Sequence, residues 1–150
     1  MIKAVLVMNT QGKPRLAKFY EFRSCAVELK MLVVSWMLSP SLDARLVYKH
    51  YATLYFVFIF DSSENELAML DLIQVFVETL DKCFRNVCEL DVVFNYSKMH
   101  SILDEIIFGG QVLETSSTEV LKAIEELSRL EAASNAMNLV PKSVSGWRTR

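Results

Sequence analysis

The chain has 150 residues, a formal net charge of −2 at pH 7 and a hydrophobic fraction of 52%. This length corresponds to one ordinary domain, and the lack of a basic excess argues against nucleic-acid binding. The N-terminal apolar stretch is too short for a signal peptide. The longest other apolar run, Met31–Leu38, is far below the roughly 20 residues that span a bilayer, so we expect a soluble protein that contacts membranes only through partners.

The first 60 residues contain two strand pairs. Ile2–Met8 is apolar on both faces, which is typical of a central strand, and a turn at 9–14 leads into a second strand over Arg15–Phe22. Aromatic and β-branched residues fill Arg45–Asp61, which is too long for one strand and predicts two strands that reverse near His50–Thr53. Between the pairs, Val27–Met37 has the apolar spacing of a short helix.

Three helices are predicted in the second half, over about 64–84, 92–108 and 116–133. Ser63 with Glu66, and Ser116 with Glu119, have capping-box spacing, and Gly109-Gly110 is a typical helix end. The first helix is apolar around most of its circumference. We therefore expect it to pack on the sheet with one side and on a partner chain, or on other helices of this chain, with the other.

Strands followed by helices indicate an α+β fold in which helices flank an antiparallel sheet. The domain is expected to cover 1–133, with 134–150 as a flexible tail. Cys25, Cys83 and Cys88 have neither disulfide nor zinc spacing and are expected to be reduced and buried. Neither His50 nor His100 has a neighbouring ligand or base at a suitable spacing. No catalytic site, metal site or cofactor is therefore predicted, and the chain is not expected to be an enzyme.

Several separated blocks resemble the small (sigma) subunits of clathrin-type adaptor complexes. They are the opening Met1-Ile2-Lys3, the hairpin over 9–20, the strands over 48–56, the block 65–81, the block 84–91, and Gly109-Gly110 with 114–116. Within that family, residues 72–76 and 81–83 are most similar to the sigma chain of adaptor protein complex 3.

The resemblance implies a longin-like antiparallel sheet flanked by helices, with five strands in the family and four or five here. It also implies a complex with two large chains and a medium chain. Such complexes select transmembrane cargo and build transport vesicles on the cytosolic face of Golgi and endosomal membranes, with traffic directed to vacuoles or lysosomes. The chain departs from the family at about 23–44, which is more than ten residues shorter and more apolar than expected.

Sigma chains of related adaptors bind acidic dileucine sorting signals. By resemblance, the leucine side chains of the signal would lie among six positions, Ala52, Leu54, Val77, Val87, Leu90 and Val92. Asn86 would hold the peptide backbone, and Arg15 would attract the acidic residue upstream. The alternative interpretation is that the Val and Leu positions are ordinary core and that Arg15 is a solvated charge at a strand end; the resemblance, and not periodicity, favours the site.

Two functions remain open at this point. The favoured one is a subunit of a vesicle-coat adaptor. The alternative is a longin-like regulatory domain that binds a small GTPase or a fusion protein, because one fold serves many functions.

Overall fold

The computed structural model describes residues 1–20 and 43–138. Four strands, β1 (Ile2–Asn9), β2 (Pro14–Phe19), β3 (Arg45–Tyr51) and β4 (Leu54–Phe60), form an antiparallel sheet in the order β2-β1-β4-β3. This confirms the two predicted strand pairs and the central place of the first strand. The helix predicted over 27–37, Cys25 and the atypical segment lie almost wholly outside the described residues, as does the end of the expected tail.

Both faces of the two central strands are buried. One face carries Val5, Val7, Phe56 and Phe58 into the main core, and the opposite face carries a second cluster of Ala4, Leu6, Val57 and Ile59. Strands buried on both sides lack the apolar–polar alternation of a half-exposed sheet, which explains the continuous apolar runs in the sequence.

Helix α1 (Glu66–Phe84) supplies the helical side of the main core. It begins at Asn65, whose side-chain oxygen accepts the Leu67 N–H at 2.8 Å. The expected capping role of Ser63 is wrong, because the Ser63 hydroxyl bonds to the Asp61 carboxylate instead. The ring of Phe76 meets that of Phe56 edge to face at 5.8 Å, a favourable aromatic geometry.

The remaining elements are α2 (Glu89–Phe94), α3 (Tyr96–Ile106), a small hairpin of β5 (Ile107–Phe108) and β6 (Gln111–Val112), and α4 (Ser117–Asn138). Helices α3 and α4 both pack against α1. Helices of the same chain therefore cover much of the apolar circumference of α1, although Leu67 stays 71% exposed.

The sequence prediction of one helix over 92–108 is wrong in two respects. The chain breaks at Asn95 between α2 and α3, and Gly109-Gly110 forms the turn of the β5–β6 hairpin rather than a helix end. Both glycines have positive φ, and a Cβ on Gly110 would lie 2.5 Å from the Ile2 carbonyl oxygen. The turn therefore needs glycine to dock on the start of β1. The last helix also continues to Asn138, past the predicted end near Ala133.

Candidate peptide-binding site

The loop between α1 and α2 is held by the carboxylate of Asp81. Its Oδ1 accepts the backbone N–H of Asn86 at 3.0 Å and that of Val87 at 3.4 Å. Arg85 and Asn86 both adopt positive φ, 51° and 71°, a conformation that costs a non-glycine residue about 1–2 kcal/mol. The hydrogen bonds to Asp81 stabilise this turn and thereby place Asn86 at the surface.

The same carboxylate joins the loop to the β3–β4 turn. Partial burial first, and then the charge and hydrogen bond of Asp81, raise the pKa of the Tyr51 hydroxyl. The next residue, Ala52, has a positive φ of 53° and is exposed. Three residues expected in the site, Ala52, Asn86 and Val87, therefore lie on two turns that share one anchoring side chain.

Four of the predicted site residues belong to the core. Leu54, Val77, Val87 and Val92 are 0–2% exposed and lie in one hydrophobic cluster with the sheet and α1. In this conformation they are closed to solvent, and their role as peptide-binding residues stays a prediction.

Leu90, in contrast to these four residues, is exposed. It is 63% exposed on α2, next to the exposed side chains of Val93 and Phe94. An apolar surface of this kind on a short helix is typical of a contact site. Phe94, which is 78% exposed, was not predicted as a site residue; its place in the apolar run Val92-Val93-Phe94 was the only sequence signal.

Arg15 is engaged in an ion pair and is not a solvated charge. Its Nε lies 2.5 Å from Oε1 of Glu89, and its Nη2 contacts the same oxygen. Asn9 donates from Nδ2 to that oxygen at 3.2 Å. Both charged side chains are about one-quarter to one-third exposed. We call Asn9, Arg15 and Glu89 the Arg15 cluster; it fastens the β1–β2 hairpin to the first turn of α2.

The described residues offer little for catalysis. Within 1–20 and 43–138, no group of three His, Cys, Asp or Glu side chains could hold a metal ion. The ring of His50 lies 4.5 Å from that of Tyr55 on an exposed strand. Burial, and next the nearby Lys18 ammonium, lower the pKa of His100. The ring of His50 thus packs on Tyr55 of the neighbouring strand, and the ring of His100 packs on Tyr96 of its own helix.

The prediction that the cysteines are buried is wrong for Cys88, which is exposed, and only partly right for Cys83, which is half-buried. Cys88 directly precedes α2, where its N–H donates to Asp91 at 2.9 Å. No helix among those described is long and apolar enough to cross a bilayer.

The structure so far consists of a longin-like sheet with flanking helices, and of a loop between α1 and α2 beside exposed apolar side chains. The amino-acid sequence also matches a known family over most of its length. The model of the clathrin adaptor complex small chain matches residues 1–131, and the chain belongs to this family. The resemblance inferred from the sequence is therefore confirmed. Of the two functions left open, this supports the adaptor subunit rather than the longin-like regulatory domain.

Individual relatives sharpen this assignment. The chain is 66% identical to an AP-3 complex subunit sigma of Arabidopsis thaliana, with 100% of both chains covered. It is 46% identical to the human AP-3 complex subunit sigma-2 over 94% of this chain and 82% of that one. A homology model of the full-length AP-3 complex in a stretched open conformation contains a chain that matches with a TM-score of 0.66 and 36% identity, over 91% of this chain and 99% of that one.

The Arabidopsis alignment runs over 166 positions, more than the 150 residues of this chain. The relative therefore carries residues that this chain lacks, and the prediction that they are missing from the segment at about 23–44 stays a prediction. As a member of a family of coat-complex subunits, the chain is a structural component of vesicle transport and not an enzyme.

Proposed function

We propose that the chain is the sigma subunit of an AP-3-type adaptor complex, assembled with two large chains and a medium chain. The observation that carries this proposal is the 66% identity over the full length of both chains. In this proposal the complex sorts transmembrane cargo with acidic dileucine signals from Golgi or endosomal membranes toward the vacuole or lysosome, and the subunit contacts the membrane only through its partners.

The proposed peptide site begins at the exposed surface of α2. Leu90 and Phe94 are exposed beside the buried Val87 and Val92, so a leucine of the signal can first contact this surface. Entry between Leu54, Val77, Val87 and Val92 requires these side chains to separate, because they are 0–2% exposed. Asn86 is held at the surface by Asp81, and its side-chain amide, which makes no hydrogen bond with residues 1–20 or 43–138, is proposed to bond the peptide backbone.

Arg15 is proposed to receive the acidic residue of the signal by exchange. Glu89 occupies its guanidinium, so the peptide carboxylate replaces one ion pair by another and gains little net energy from it. The two leucines supply most of the attraction, about 1.5–3 kcal/mol each before ordering costs. The opening of the pocket consumes part of that energy, which supports a weak, reversible affinity around micromolar.

Assembly is tested by affinity purification of the tagged chain from cells that express the other subunits. We expect both large chains and the medium chain to be recovered together with it. Recovery of the chain alone, or with a small GTPase and no adaptor chain, would contradict the proposed assembly.

The peptide site is tested separately on the purified complex. Leu90→Asp places a charge on the exposed entry surface and should abolish binding of an acidic dileucine peptide while leaving the complex intact. Leu130→Asp, at an equally exposed position of α4 (67% against 63%), is the matched control. Equal peptide affinities for the two variants would place the site elsewhere.

A further inference from the structure

A second ligand site is suggested by a cavity that shares no lining residue with the proposed peptide site. The cavity has a volume of about 300 Å³ and lies between the end of α1, the start of α3 and the middle of α4. This volume is at the lower end of the range for small-molecule sites. Leu121 and Ile124 contribute an apolar floor.

Three cations line this cavity, namely Lys82, Lys98 and Arg129, against one carboxylate, Glu125. We call this set the basic cavity. Within the described part of the chain, none of the three cations has a carboxylate oxygen within 4 Å. Elsewhere in the same ranges, Arg15, Lys18, Arg45 and Lys122 each have a carboxylate partner, whereas Lys13, Lys49 and Arg85 do not, so the distinguishing feature is that three such cations line one cavity. The charges of the basic cavity are therefore not neutralised by the fold itself.

Two of the three cations, Lys82 and Lys98, are held by contacts that leave their charge available. Lys82 donates from Nζ to the Ser117 hydroxyl at 2.8 Å, and the ammonium of Lys98 lies 5.1 Å from the centre of the Phe84 ring. A hydroxyl and an aromatic face orient a cation without cancelling it. Two lysines and an arginine around one concave surface are the chemistry that binds phosphate groups.

We propose that the basic cavity binds a phosphomonoester carried on a small polyol. The three cations contact the phosphate oxygens, and the carbon ring of the polyol rests on the apolar floor. Such a group is found both on soluble polyol phosphates and on the headgroups of phosphorylated inositol lipids. This inference does not depend on the proposed peptide site, which uses other residues.

Cys83 provides a built-in reporter for occupancy. It is half-buried in the wall of the cavity, where burial raises the pKa of its thiol and the Lys98 charge opposes that shift. A bound phosphate both covers the thiol and adds negative charge beside it, so alkylation of Cys83 should slow. Cys88 is exposed outside the cavity and should react at the same rate with or without ligand.

The test measures binding of three probes to the full chain: inorganic phosphate, inositol bisphosphate, and phosphatidylcholine vesicles that contain phosphatidylinositol phosphate. We expect inositol bisphosphate to bind and to protect Cys83 selectively. Arg129→Gln should weaken its binding about tenfold. Glu125→Gln, which removes the one carboxylate, should strengthen it about twofold to fivefold.

Lys122→Gln is the matched control, because Lys122 lies on the same helix and does not line the cavity. An equal loss in Lys122→Gln and Arg129→Gln, or no binding of any probe, would overturn the proposal. Melting curves of each variant verify that the fold persists. Binding of the vesicles together with inositol bisphosphate assigns a lipid headgroup as the source, and binding of inositol bisphosphate without the vesicles assigns a soluble polyol phosphate.

Discussion

The Arg15 cluster and the basic cavity are both proposed to present cations to a ligand, and they differ in which side chains contact those cations in the free chain. In the Arg15 cluster, the Glu89 carboxylate forms an ion pair with Arg15 and also accepts a hydrogen bond from the Asn9 side-chain amide. In the basic cavity, a hydroxyl and an aromatic ring take the place of a carboxylate. In the two proposals, an acidic peptide at Arg15 has to displace Glu89, whereas an anion in the basic cavity meets three cations that have no carboxylate oxygen of the described residues within 4 Å.

The largest expected effect concerns the buried half of the proposed peptide site. Val77→Asp places an unpaired carboxylate at a position that is 2% exposed and should destabilise the fold by about 3–5 kcal/mol. Thermal or urea unfolding of the full chain measures this. Leu90→Asp, in the exposed half, should change stability by no more than about 0.5 kcal/mol. Comparable losses for both variants would contradict the division of the site into a core half and a surface half.

Next in size is the loss of the anchor beneath the α1–α2 loop. Asp81→Ala removes the acceptor of the Asn86 and Val87 N–H groups and the partner of Tyr51. The strained turn then lacks support, and we expect a loss of about 1.5–3 kcal/mol. Asp71→Ala, at an exposed position of the same helix, serves as control. A loss for Asp81→Ala no greater than the control would show that the loop is held by other contacts.

A smaller effect separates the paired cation from an unpaired one. Arg15→Gln breaks the partly buried pair with Glu89 and should lower stability by about 0.5–1 kcal/mol. Arg129→Gln breaks no ion pair with the described residues and should leave the urea midpoint nearly unchanged. A double-mutant cycle of Arg15→Gln with Glu89→Gln isolates the coupling between the two residues. A coupling energy of zero between Arg15 and Glu89 would show that Arg15 is no more neutralised by the fold than Arg129 is.

The smallest effect is a pH dependence from His100. Its folded-state pKa is lowered below 6.5 by burial and Lys18, against the opposing charge of Asp104. Between the lowered pKa and 6.5 the unfolded chain binds more protons, so stability rises with pH there and is lost as pH falls below about 6.5. His100→Gln should reduce this slope in unfolding measurements, whereas His50→Gln, at an exposed strand position, should retain it.

Local pattern was enough to predict much of the fold. Apolar runs located both strand pairs, and the continuous apolar sequences of β1 and β4 agreed with the burial of these strands on both faces. The long apolar helix was placed within two residues of the observed Glu66–Phe84. The capping assignment failed because Ser63 and Asn65 are both good capping residues, and spacing alone does not decide which one begins the helix.

Other features depend on the tertiary structure. Gly109-Gly110 follows a helical pattern, and only its docking against Ile2 explains why a hairpin forms there. Glu89 lies 74 residues from Arg15 along the chain, so no sequence window relates the two. The Asp81 anchor is also hidden, because an aspartate near a helix end is ordinary until the strained turn after it is seen. The site residues were predicted from the family resemblance, and the structure shows which of them are buried and which are exposed.

The central claim is that Glu89 occupies the cation that a peptide carboxylate would otherwise bind. The most direct measurement is calorimetric titration of an acidic dileucine peptide into the assembled complex with wild-type chain, Glu89→Gln or Arg15→Gln. We expect the Glu89→Gln complex to bind the peptide about twofold to tenfold more tightly, because the Glu89 carboxylate no longer competes for Arg15. The Arg15→Gln complex should bind it about twofold to tenfold more weakly. A dissociation constant that is the same in all three complexes would contradict the exchange at Arg15.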